Sequence, residues 1–406
     1  RTAVRRGPRA RAADAGMRAP YFADERSALY LGDCREVLAE LDAGSIDAVV
    51  TDPPYGLEFM GKAWDAPWKT GDGFRRARNE ADAGNPAPAT YSGDVRDARP
   101  KAFQAWCGSW LAEIRRVLRP GGYLLAFGSP RTWHRLAVAI EDAGFEIRDS
   151  VAWLHGQGFP KHASALKPAW EPILLARRPL EGSVARNVAA HGTGALNIDA
   201  CRILGPVEAD GTPGNGQIGS DAAGRWPANV VFDEVAAAAL DAQAGERRVS
   251  RGELRRGASI GYGGSAGSHT PGVGYGDSGG ASRFFYCAKA SKAEREAGLS
   301  ELPAVVGSNG GKWMDRHYYP DGRVVETRAR RNTHPTVKPL DLMRWLVRLA
   351  TPAGGLVLDP FTGSGTTRLA ALAEGRRFVG VELNEEYLAI ARARRVQAGL
   401  GMEGVI

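Results

Sequence analysis

The stretch "TDPPYG", Thr51 to Gly56, places an acid, two prolines and an aromatic ring directly after the apolar run "IDAVV". Proline has no backbone N–H, so two in succession stop a sheet ladder. They leave four groups at the strand end: the Asp52 carboxylate, the Pro53 carbonyl, the Pro54 ring and the face of Tyr55. The set is either a plain strand terminator or a site built to hold something flat and polar.

A second stretch, "LDPFTGSGTTRLA", has the form of a ligand-binding turn. Asp359 closes an apolar strand, and Gly363 and Gly365 turn the chain into a helix that starts near Thr366. Glycines there let backbone approach a ligand, and the helix N-terminus favours anionic groups. Glu382 ends the next strand, 23 residues after Asp359, a spacing that suits an acid receiving the two hydroxyls of a ribose. The turn is not a dinucleotide fingerprint, because Arg368 stands where the third glycine would be. It also lacks the Lys-Ser/Thr end of a triphosphate loop. A nucleoside with an amino-acid tail and no phosphate fits, and S-adenosylmethionine is such a ligand.

The elements that must hold these stretches follow from the patterning. "ALYLGD", "CREVLAELDAG" and "IDAVVTD" alternate strand, helix, strand, the order of a parallel sheet with crossover helices. The helix "AFQAWCGSWLAEIRRVLRPGG" leads to the strand "YLLAFGS", then come the helix "RTWHRLAVAIEDAGF" and the strands "EIRDSVAWLHG" and "EPILLARRP". Regular alternation fades after about Arg177 and returns at "HPTVKPLDLMRWLVRLATPAGG", a helix entered through Pro339. A strand–turn–helix–strand–helix unit closes the chain. Each α/β segment is too short for a doubly wound sheet, so both are expected in one sheet. The expected divisions are a disordered basic tail over 1–16, a catalytic half over 17–176, an irregular insert over 177–332 and a cofactor half over 333–406. The glycine-rich run from Gly257 to Gly280 inside the insert is expected to be a mobile loop.

Composition narrows the class. The 406 residues are 43% hydrophobic and 24% charged, a globular profile with no apolar run long enough to span a bilayer. Four scattered cysteines without a CxxC pair argue against a zinc site or disulfide framework and point to a reducing cytoplasm. The net charge of +7 is concentrated at the start, where five arginines and one aspartate contribute +4 within residues 1–16. Met17 is a candidate natural start. The seven histidines show no ligand spacing, so no metal is expected.

"TDPPY", "HPTVKP", "DPFTGSGTT" and "LYLGDC", in this order of catalytic before cofactor motif, resemble the permuted beta group of DNA amino-methyltransferases. These enzymes act on adenine N6 or cytosine N4. "GKAWD" and "RFFYCAKASKAERE" are similar to phage and prophage members. The resemblance implies an α/β fold with a seven-stranded, mostly parallel, Rossmann-like sheet, and a target-recognition region over the insert. It implies S-adenosylmethionine as cofactor, with Asp359, Phe361, Gly363, Gly365 and Thr366 along its methionine and ribose side. Glu382 would take the ribose hydroxyls, Asp33 would face the adenine, and Thr336 and Lys338 would hold the methionine carboxylate. Asp52, Pro53 and Tyr55 would be catalytic. Pro54, Tyr55, Lys62 and Trp64 would form the pocket for a base flipped out of double-stranded DNA. A homodimer and a partner restriction endonuclease accord with the resemblance, but no residue specifies either.

Plainer roles compete with several of these. Asp33 is also placed to cap the helix of "CREVLAEL", Thr336 and Lys338 to serve only as helix entry, and Trp64 to be core. Adenine is expected because the beta-group cytosine-N4 enzymes usually carry serine where Asp52 stands. Cytosine-N4 methylation and a catalytically inactive DNA-binding relative remain alternatives, as does action on RNA or protein. Carbon-5 methylation of cytosine needs a thiolate, normally in a Pro-Cys pair, and no cysteine here follows proline.

Overall fold

A computed structural model of the chain describes residues 18–57, 93–156, 158, 166–203, 224–248, 278–288, 292–304, 316–318, 324–326 and 330–395. Two units emerge: a larger one (Arg1–Ala152, Trp170–Asn197 and Lys289–Ile406) and a smaller one (Trp153–Ala169 and Ile198–Ala288). The expected glycine-rich loop, apart from its last residues, lies outside the described residues, as do Lys62, Trp64 and the basic tail.

In chain order the first elements are β1 (Phe22–Ala23), β2 (Ser27–Leu31), α1 (Cys34–Ala39), β3 (Ile46–Thr51), α2 (Gly93–Val117), β4 (Leu118–Phe127), α3 (Trp133–Asp142) and β5 (Glu146–Leu154). After β6 (Trp170–Arg177) and α4 (Val184–His191) come β7 (Val230–Asp233), α5 (Glu234–Ala244), β8 (Arg247–Arg248), β9 (Ser278–Gly279) and β10 (Tyr286–Ala288). The last group is α6 (Lys292–Glu296), β11 (Arg316–Tyr318), β12 (Val324–Glu326), α7 (Leu340–Ala350), β13 (Leu356–Asp359), α8 (Thr366–Ala373), β14 (Arg377–Glu382) and α9 (Glu385–Ala393).

Within the larger unit the strand order is β1-β2-β14-β13-β3-β4-β6-β5. The two α/β segments therefore share one sheet, and the C-terminal pair β13 and β14 wedges between β2 and β3. From β2 to β4 every pairing is parallel. β3 and β13 are buried at every residue, as strands covered on both faces must be. β6 returns antiparallel to β4.

The fold class is as expected, but the strand count is not: in the larger unit the sheet has eight strands rather than seven, β1 adding a short antiparallel edge. Asp24 makes that extra edge by holding a tight turn, accepting the N–H of Arg26 at 2.9 Å and of Ser27 at 2.7 Å. The smaller unit is more regular than its composition suggested. Here β7 and β10 pair in parallel, Asp233 caps α5 by accepting the Ala236 N–H at 2.7 Å, and β8 and β9 pair antiparallel.

The core of the larger unit joins α1, α2 and α3 to the sheet through residues such as Leu38, Phe103, Trp110, Ile114, Ile140, Leu124 and Leu358. Trp110 is fully buried, and its ring meets Phe361, just after β13, edge-on at 5.2 Å. The core thus reaches directly under the glycine turn. Trp110→Ala should lower unfolding free energy by about 3–5 kcal/mol, read as a reduced midpoint in urea denaturation.

Candidate active site

The chain leaves β3 for β4 on one side and β13 for β14 on the other, so the sheet reverses direction of travel between β3 and β13. In open parallel sheets the crevice at the carboxyl ends of such a pair binds ligands. Both sequence motifs sit at that point. The Thr51 hydroxyl donates to Asp359 Oδ1 at 2.7 Å, and the Thr367 hydroxyl donates to Oδ2 at 2.6 Å. The Phe361 N–H donates to Oδ1 at 3.1 Å. Asp359 is 2% exposed, and burial pushes its pKa up to about 6 against the pull of the two hydroxyls.

Beyond β3 four polar side chains converge. The Tyr55 hydroxyl lies 2.8 Å from Asp52 Oδ1 and 2.9 Å from Glu171 Oε2. Lys338 Nζ donates to Asp52 Oδ2 at 2.7 Å and to the Tyr55 oxygen at 3.1 Å, and lies 3.3 Å from Glu171 Oε2. The loop is pinned from behind, where the Thr132 hydroxyl donates to the Tyr55 carbonyl at 2.7 Å. Pro53 is buried and Pro54 half-buried, so both prolines are held in the packed base of this loop. Burial raises the Asp52 pKa; the Lys338 charge opposes the rise and the Glu171 charge adds to it. Burial works against the Lys338 charge, but the attraction of Asp52 and Glu171 outweighs it and leaves its pKa above the ordinary value.

Two partners here were not foreseen. The Lys338 side chain, expected at the methionine carboxylate of the cofactor, is 9% exposed and places its ammonium between two protein carboxylates. Opposite charge at contact distance in a poorly solvated place decides the position. Glu171 is the residue that sequence reasoning missed. Its one signal was an acid before Pro172 at the mouth of the otherwise apolar "EPILLA" strand. Only the β4–β6 pairing carries it to the β3 end.

The glycine turn forms as expected. Gly363 has φ +51° and Gly365 φ +80°, and a Cβ on Gly365 would lie 2.8 Å from the Ala391 Cβ. A Cβ on Gly363 would meet His334 Nε2 at 2.7 Å. The Gly363 N–H donates to Glu382 Oε2 at 2.8 Å, and the Asn384 N–H to Oε1 at 2.9 Å. Thr366 is buried and its hydroxyl accepts from Arg394 at 2.8 Å. Thr336 is exposed, and its N–H donates to His334 Nδ1 at 3.4 Å. Asp33 fills the plainer of its two roles: it caps α1, accepting the Arg35 N–H at 2.9 Å, and pairs with the Arg35 guanidinium at 2.6 Å. The Gly32 N–H donates to the Glu382 carbonyl at 3.0 Å, so Asp33 also stands beside the end of β14.

With this geometry in place, comparison with known proteins decides the family. The DNA methylase family of the N6/N4 type matches residues 46–393. The chain belongs to that family. It is 25% identical over 402 residues to the type II methyltransferase M.HindIII of Haemophilus influenzae, covering 89% of this chain and 93% of that protein. It is 44% identical over 61 residues to the DNA adenine methyltransferase YhdJ of Escherichia coli, 15% of this chain and 21% of that one. Among solved structures, the cytosine-N4-specific PvuII DNA methyltransferase superposes with a TM-score of 0.46 at 15% identity, covering 94% of this chain and 90% of that chain.

The methyl donor of this DNA methylase is S-adenosylmethionine, and the donor set of the site fits it. Each oxygen of the Glu382 carboxylate holds one N–H and keeps lone-pair capacity for a ribose hydroxyl. The carboxylates of Asp359 and Glu382 suit a ligand that carries a sulfonium and an ammonium, and the turn offers no lysine for a phosphate. Among the described residues no group of His, Cys, Asp and Glu could hold a metal ion, and no helix is long and apolar enough to cross a membrane.

His334 stacks edge-on against Tyr387 at 4.6 Å and lies under the glycine turn. Burial first, then the charges of Lys338 and Arg295, hold its pKa down at about 4. A histidine depressed on folding is protonated in the unfolded chain first, so stability falls as pH drops below about 6.5. The loss is complete once pH passes about 4. Relative to His334→Gln, the wild type should lose roughly 3 kcal/mol over that window, measured by denaturant titration at fixed salt.

Proposed function

We propose that this DNA methylase transfers a methyl group to the exocyclic N6 of adenine in double-stranded DNA. The observation that carries the reading is Asp52: a carboxylate, rather than a hydroxyl, stands at the end of β3 and is braced by Tyr55 and Lys338. An exocyclic amine on adenine is a poor nucleophile because its lone pair is delocalised into the ring. Accepting its two N–H groups on the Asp52 carboxylate and the Pro53 carbonyl rehybridises the nitrogen and stabilises the positive charge it gains. Each Asp52 oxygen holds one protein donor and retains a lone pair for this purpose. S-adenosylmethionine, when bound, supplies the electrophilic sulfonium methyl. Tyr55 offers the base a face, and the base reaches it by flipping out of the duplex at a cost of a few kcal/mol. The short match to an adenine methyltransferase supports the base assignment.

The smaller unit, within the proposed recognition region, presents one exposed ring that suits DNA. Trp226 is 46% exposed, and the Arg202 guanidinium, itself paired with Asp199, lies 5.1 Å from its ring centre. An exposed ring of this kind stacks on a base.

Modified-base sequencing of DNA from cells expressing the chain should show N6-methyladenine at a defined site. Methylated cytosine instead would overturn the base assignment, and no mark at all would count against the enzyme. Asp52→Ala should reduce transfer by at least about 100-fold while cofactor affinity, read by calorimetry, stays unchanged.

A further inference from the structure

The cluster at the end of β3 contains more than an amine-binding group needs. Tyr55 has one phenolic proton and two carboxylate oxygens within reach, Asp52 Oδ1 at 2.8 Å and Glu171 Oε2 at 2.9 Å. Lys338 donates to the Tyr55 oxygen, so the phenolic proton is available to either carboxylate. The same ammonium touches both acids, at 2.7 Å and 3.3 Å, and compensates negative charge on either one. The arrangement has two states that differ by where one proton sits.

We infer that Glu171 is the terminal proton acceptor of the methyl transfer, reached from Asp52 through the Tyr55 hydroxyl. This inference rests on the proposed amine methylation. As the amine lone pair forms the N–C bond, the S–C bonding pair returns to sulfur, leaving a neutral thioether and a cationic nitrogen with one surplus proton. That proton passes to the Asp52 carboxylate. Asp52 hands a proton to the Tyr55 oxygen as Tyr55 gives its own to Glu171 Oε2. Charge balances at each point: the nitrogen becomes neutral and Glu171 ends protonated. The Glu171 side chain is 23% exposed, so water can take the proton before the next turnover.

The charged and titratable surroundings do not supply a better acceptor. Asp359, on β13, holds three donors, from Thr51, Thr367 and Phe361, and at 2% exposed it has no route to pass a proton on to water. His334, the nearby imidazole on the loop before α7, is held neutral partly by the Lys338 charge and lies under the glycine turn. Phe127 on β4 contributes only a ring face, 5.0 Å from the Lys338 nitrogen. Glu171, on β6, is the acid the phenol addresses.

The test uses the full-length protein, a duplex carrying its methylation site, and labelled S-adenosylmethionine under single-turnover conditions. Glu171→Gln keeps an oxygen acceptor for Tyr55 but cannot take a proton. It should slow transfer by about 10- to 100-fold, shift the acid limb of the pH–rate profile, and leave cofactor and DNA affinities unchanged. Glu171→Asp should recover part of the rate. Tyr55→Phe combined with Glu171→Gln should be no slower than the worse single variant, because one relay is cut twice. A Glu171→Gln protein with the wild-type rate and pH profile would overturn the relay while leaving the methyltransferase reading intact. So would equal losses in Glu171→Gln and Glu171→Asp accompanied by weakened cofactor binding, which would mark Glu171 as purely structural. A wild type that transfers no methyl group to any DNA removes the parent reading and the relay with it.

Discussion

The hydrogen bond from the Thr51 hydroxyl to Asp359, 2.7 Å long and fully buried, ties together the two strand ends on which the site depends. These residues lie 308 positions apart in the chain. Their meeting puts the Asp52 carboxylate next to the glycine turn. The bond is anchored on both sides: Asp359 also takes the Thr367 hydroxyl from the first turn of α8, and Thr51 ends a strand with no exposed residue. Methyl transfer demands that nucleophile and methyl carbon approach in line, so small errors between these strands would be costly. A buried hydrogen bond between neighbouring strands is a direct way to suppress such errors.

Around that tie, charge is arranged by burial. Asp52, Tyr55, Lys338 and Glu171 come from three parts of the chain, and none has its full charge complement in water. In such a setting an unpaired carboxylate or ammonium is expensive, whereas a hydrogen-bonded group of both signs is sustainable. Lys338 therefore stays charged despite its burial, and its presence keeps Asp52 available as an acceptor. The same logic holds His334 neutral beneath the glycine turn.

Much of this was legible in the chain. The prolines at 53 and 54 announced a strand end, Pro339 the start of α7, and Gly363 and Gly365 a turn whose positive φ values the structure bears out. The strand–helix alternation around β3 and β13 announced a parallel sheet, and the structure buries both strands at every residue. Less was visible where function rests on a pairing between distant segments. Asp33 had two readings, and the structure shows the helix cap with Arg35 beside it. The edge strand β1 has only two residues, too few for any periodicity to register.

By itself, the sequence determined the chemistry available: an acid and a carbonyl at a strand end, a glycine turn suited to a nucleoside, and an order of motifs that names the methylase family. These are local properties, set by residue type and by spacing along one strand or turn. Only the tertiary structure decided which groups meet. It inserted β13 and β14 between β2 and β3, drew Lys338 onto Asp52, and brought Glu171 across from β6 to Tyr55. The physical reason is that strand order and the pairing of buried charges depend on contacts between segments far apart in the chain, which no local pattern encodes.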